Sequence, residues 1–111
     1  MSALAEKSCI PCRGGVPPLG PEQILSLHAE TPEWSVIDQH HLRREFRFPD
    51  FATALGFVNQ IGEVAETEGH HPDIELAWGR VALTVWTHKI NGLTESDFVF
   101  AAKVDQITPT P

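Results

Sequence analysis

The hydrophobic period changes once between Leu42 and Ala65, and that change constrains the fold more than any other feature of the chain. Residues 42–48, LRREFRF, repeat every two positions: Leu42, Phe46 and Phe48 share one side, Arg43, Glu45 and Arg47 the other. A strand with one apolar and one charged side belongs to an antiparallel sheet with one face packed and one in water. Pro49-Asp50 breaks the pattern, and Asp50 is a candidate helix N-cap. Phe51, Leu55, Val58, Ile61 and Ala65 then recur at spacings of three and four, which predicts a helix lying on the sheet, stopped near Gly69.

The second half repeats the logic. In DIELAW, Ile74, Leu76 and Trp78 alternate with Asp73, Glu75 and Ala77. Gly79 marks a turn, and RVALTVWTH predicts a strand whose end carries His88, on the side away from Val81, Leu83, Val85 and Thr87. After NGL, Thr94 and Asp97 form a capping box, Leu93 and Phe98 a hydrophobic staple, and Phe98, Ala101, Val104 and Ile107 a buried stripe. Ahead of both units, Pro21 opens a short helix through Ile24, Leu27 and His28, and Trp34–Ile37 reads as a short strand. The order predicts an α+β two-layer sandwich: a four-stranded antiparallel sheet with helices packed on one face. Its open edges suit self-association.

Composition closes several alternatives. At 111 residues there is room for one ordinary domain. A net charge of −7 argues against binding nucleic acid through its phosphates. No apolar run approaches the roughly 20 residues of a membrane helix, and Glu6 spoils a signal peptide, so a cytoplasmic protein is expected. Cys9 and Cys12 form a C-x-x-C followed by glycine and proline, with no further ligand pair for a structural zinc and no preceding strand for a redox motif. Residues 1–20 read as a flexible head, residues 21–108 as the domain and residues 109–111 as a frayed tail.

The six histidines include two adjacent pairs. His40-His41 lies at the mouth of a strand, where neighbours point to opposite faces, and reads as surface. His70-His71 lies in the connection between a helix C-terminus and Pro72, and functional groups concentrate on such loops. A helix C-terminus also interacts favourably with a cationic imidazole. His88 stands at another element end. Three histidines and Asp97, without H-E-x-x-H, a glycine-rich phosphate loop or G-x-S-x-G, point to proton transfer, with a three-histidine zinc site left open.

The run EGHHPDIELAWGRVALTVWTHKINGLTESD resembles the pterin-4a-carbinolamine dehydratase family. In that pattern Glu66 is followed by three residues and then His70, His71 and Pro72; Trp78 is the aromatic, His88 follows after nine intervening residues and Asp97 after eight more. The resemblance extends over about residues 21–108, including Trp34 and RFPDFATALGFV.

The resemblance implies a dehydratase acting on 4a-hydroxytetrahydropterin, with no metal and no organic cofactor. It implies that His70 and His88 are the acid–base pair and that Asp97 supports them in the catalytic set. His71 and Thr87 would lie against the pterin, and Glu66, Pro72 and Trp78 would support the site. It implies a homodimer or homotetramer whose partner is the small-molecule pterin rather than a nucleic acid or a membrane. Gly69 departs from the acidic residue of animal members, Trp86 from a serine often found there, and the C-x-x-C head looks like that of many bacterial members. The competing expectation is a non-catalytic binding protein on the same fold, either an assembly chaperone for ribulose bisphosphate carboxylase or a transcriptional coactivator-like module.

Overall fold

Each alternating segment is a strand in the computed structural model, which describes residues 3–9 and 17–107. The strands are β1 (Ser35–Ile37), β2 (His41–Arg47), β3 (Asp73–Ala77) and β4 (Arg80–Val85). All neighbours pair antiparallel in the order β1-β2-β4-β3. The register sets Leu42 opposite Val85 and Phe46 opposite Val81. With Leu83, these side chains form a buried face that shares one core with helices α1 (Pro21–His28), α2 (Phe51–Glu68) and α3 (Glu95–Ile107). The expected α+β architecture is the observed one. No described helix is long and apolar enough to cross a membrane.

Local signals account for the helix ends. Asp50 caps α2, its carboxylate accepting the Thr53 N–H at 2.8 Å. Gly69 ends α2 in the left-handed region at φ 64°, the conformation that costs glycine least. Leu93 and Phe98, the staple pair of α3, are both fully buried.

Three expectations are corrected. The buried stripe of α2 is Ala54, Phe57, Ile61 and Ala65, whereas Phe51 and Leu55 are exposed. Both stripes have helical spacing; the one containing Phe57 wins because that ring meets Phe46 at 4.7 Å and Phe48 at 5.2 Å. β3 stops one residue before Trp78, and β4 stops at Val85, so His88 lies not at a strand end but in the 3-10 turn His88–Ile90. Thr87 leaves the ladder to pair with Gly92 instead. Arg44, which shares the side of Leu42 and Phe46, is accommodated among them by an ion pair with Asp105 of α3, the same carboxylate that accepts the Trp34 indole N–H at 2.8 Å.

The third correction concerns the head. Residues Ala3–Glu6 form a 3-10 turn, and Leu4, Ala5 and Cys9 join the main core. Lys103 of α3 donates to the Ala5 carbonyl at 2.9 Å, and Glu68 of α2 accepts the Cys9 N–H at 2.8 Å. The cause lies in α3, buried continuously from Ser96 to Ala102. A helix apolar on every side needs cover beyond the sheet, and the head supplies it. Burial, reinforced by the Glu68 carboxylate, pushes the Cys9 thiol up to about 12, which keeps it protonated and unreactive at neutral pH. Cys12 and the tail 109–111 lie outside the described residues.

Candidate active site

The turn after α2 and the first turn of α3 meet at one carboxylate. Asp97 is fully buried, and its Oδ1 lies 2.6 Å from Nε2 of His70. Its Oδ2 accepts the Thr94 N–H at 2.8 Å and the Thr87 hydroxyl at 2.9 Å. The Thr87 and Thr94 hydroxyls are themselves 2.9 Å apart. Half of the expected capping box therefore forms: the third-position acid reaches back to the cap N–H, while the threonine hydroxyl turns to Thr87. The same carboxylate ends a helix and orients an imidazole.

Backbone geometry explains why these residues meet. Gly69 turns the chain back so that the His70 N–H bonds the Ala65 carbonyl at 3.1 Å. The β3–β4 ladder begins with Asp73 opposite Thr84. Continuing that register past the strand ends puts His70 across from Thr87 and His71 across from Trp86, on opposite faces of the sheet. Because a carboxylate only accepts, His70 must carry its hydrogen on Nε2, which leaves the Nδ1 lone pair of the neutral ring free to take a proton.

The other expected residues separate into groups. His71 pairs with Glu66 at 2.5 Å, both well exposed, so Glu66 supports His71 rather than His70. Pro72 joins the histidine pair to β3. Trp78 is 67% exposed in the β3–β4 turn, at the far end of the hairpin from His70, and is not brought together with the others. His88 is exposed and stacks on Trp86, with ring centroids 4.3 Å apart. Among the described residues no three or more His, Cys, Asp or Glu side chains form a group suited to a metal ion.

Two features escaped the sequence reading. Thr94 joins the hydrogen-bonded cluster as well as capping α3. His40 and His41 are half-buried, with their Nδ1 atoms 3.0 Å apart, rather than simply surface residues. Strand alternation did not apply to them, because His40 belongs to the β1–β2 turn and only His41 to the strand. The available signal was Trp86, a large aromatic just past the end of β4 that needed neighbours.

Comparison with known proteins shows the family. Residues 17–107 match the family described as Pterin 4 alpha carbinolamine dehydratase. The chain belongs to this family. It is 63% identical to a protein of Rubrobacter xylanophilus named "Putative pterin-4-alpha-carbinolamine dehydratase", over 96% of this chain and all of that one. An Alkaliphilus metalliredigens protein of the same name is 57% identical over 96% of each chain. Among solved structures, a transcriptional coactivator/pterin dehydratase from Brucella melitensis is similar, with a TM-score of 0.77 and 34% identity, covering 83% of this chain and 99% of that one.

Proposed function

We propose that this chain removes water from 4a-hydroxytetrahydropterin. The reaction breaks the N5–H and C4a–O bonds and forms the C4a=N5 double bond of quinonoid dihydropterin, the hydroxyl leaving with a proton as water. It requires a base at N5 and an acid at the hydroxyl, and imidazoles serve both tasks near neutral pH. The observation that carries the reading is the buried Asp97 carboxylate aimed at Nε2 of His70. That contact orients the ring and fixes its tautomer. In this reading His70 and His88 exchange the two protons, and His71, held loosely by Glu66, contacts the pterin. Thr87 lines the site with its hydroxyl committed to Asp97. The chain assembles as a homodimer or homotetramer through the edge strands β1 and β3 or the exposed Phe51 and Leu55 of α2.

The test is a dehydration assay with substrate generated in situ, using protein dialysed against a chelator. Turnover above the spontaneous rate, unchanged by the chelator, is expected. His70→Ala and His88→Ala should each slow it by roughly 10²–10⁴-fold, less if one imidazole partly replaces the other. His71→Ala should mainly raise KM. A folded parent chain that leaves the spontaneous rate unchanged would favour a non-catalytic binding role, a reading kept in view by the coactivator in the description of the Brucella structure.

A further inference from the structure

Trp86 has no part in the chemistry above, yet it contacts three of the chain's histidines. Its indole lies nearly parallel to His88, at 4.3 Å and 22°. Its other neighbours are His40 at 5.3 Å and His41 at 6.0 Å. His40 Nε2 bonds the Asn91 side-chain oxygen at 2.8 Å, and the Asn91 N–H bonds the His88 carbonyl at 3.2 Å. The contacts form a closed ring running from His88 to Trp86, His40, Asn91 and back. Its backbone is pinned by two turns in the left-handed region, at Asp38-Gln39 with φ 54° each and at Asn91 with φ 51°.

His88 itself is exposed, and among the described residues its imidazole has no hydrogen-bond partner. An exposed imidazole on a short turn samples several staggered rotamers, and only those facing the substrate contribute to turnover.

We propose that Trp86 is the positioning residue for His88, holding the imidazole face-on so that one ring nitrogen is presented to the substrate. The proposal rests on the acid–base reading of His88. A stack of this kind biases the rotamer population by about twofold to tenfold. His40, His41 and Asn91 fix the indole in turn.

The test pairs Trp86→Phe, which keeps an aromatic face, with Trp86→Leu, which keeps apolar bulk without one. Trp86→Leu should lower kcat by up to about tenfold with KM nearly unchanged, and Trp86→Phe should stay within about twofold of the parent. In NMR spectra the ring protons of His88 should show an indole ring-current shift that Trp86→Leu abolishes. Equal kcat in the Phe and Leu variants, or unchanged His88 resonances in Trp86→Leu, would overturn the proposal. His88→Ala in the same assay separates the two possible failures. If it is slow while Trp86→Leu is parental, only the positioning role falls. If His88→Ala is itself parental, the acid–base reading falls and the proposal with it.

Discussion

The chain holds two imidazoles in opposite ways. His70 is mostly buried and tied through Nε2 to a carboxylate with no solvent exposure. His88 stands in solvent and rests on an indole face. A hydrogen bond to a buried charged group sets direction and tautomer, and breaking it strands a desolvated partner. A stack sets only the plane of the ring and permits sliding. In the proposed site one end is therefore built into the core, while the other can adjust to what binds. Substitutions at the two ends should differ accordingly in how they divide between rate and stability.

Of three further changes, Asp97→Asn should have the largest effect on rate. The amide can offer its oxygen to the Thr94 N–H and the Thr87 hydroxyl only by turning its NH₂ toward His70. His70 must then accept on Nε2 and carry its hydrogen on Nδ1, which leaves no free lone pair for the proposed role as base. A rate loss of more than about tenfold is expected, because a misdirected group costs rate without costing the fold. Only a small stability loss of about 0.3–1 kcal/mol should accompany it, because the amide oxygen keeps the Thr94 N–H bond and only the charge at the helix N-terminus is removed. Initial rates and thermal melts on one preparation measure both. Normal rates with a lowered Tm would reduce the buried end to a helix cap and break the contrast.

Deleting residues 1–9 should come next. It removes Leu4, which is 2% exposed, with Ala5 and Cys9, and burying a leucine side chain alone contributes about 1.5–3 kcal/mol. The urea midpoint should fall by a corresponding amount. The His88 ring resonances should stay in place, because the described contacts of residues 3–9 go to α2 and α3. An unchanged midpoint would show that the head is not part of the core.

The smallest effect is a pH dependence at the exposed end. Burial, then the neighbouring His40, holds His41 below the ordinary imidazole value of 6.5. Between the lowered value and 6.5 the folded chain binds fewer protons than the unfolded one, so stability rises with pH across that window. It is lost as pH falls below 6.5 and levels off below the lowered value. The stability difference between the parent and His41→Ala, followed through urea midpoints against pH, should shrink as the solution is acidified. A difference independent of pH would remove His41 from the account.

The fold was legible in the sequence because Leu42–Phe48 and Val81–Val85 alternate cleanly and Asp50, Gly69 and Thr94 punctuate the helices by local chemistry. The association of His70 with Asp97 was legible only through the family pattern. It depends on where the β3–β4 register projects beyond its last pair, which no local window contains. The stack on Trp86 and the histidine contact at His40-His41 were missed because a turn residue escapes strand alternation. The packed head was missed because Leu4, Ala5 and Cys9 make no periodic stripe. Its trace was in α3, too apolar all round to be covered by a sheet alone.

That head also sets an order of events during synthesis. The bond from Lys103 to the Ala5 carbonyl spans 98 positions, and the contact from the Cys9 thiol to the Ser96 carbonyl spans 87. At roughly 5–20 residues per second, the ribosome makes Ala5 about 5–20 seconds before its partner on α3. During that interval Leu4 and Ala5 lack the α3 face against which they pack. The segment made early is among those that dock late, and the long loop it closes slows folding relative to a chain of equal helix content.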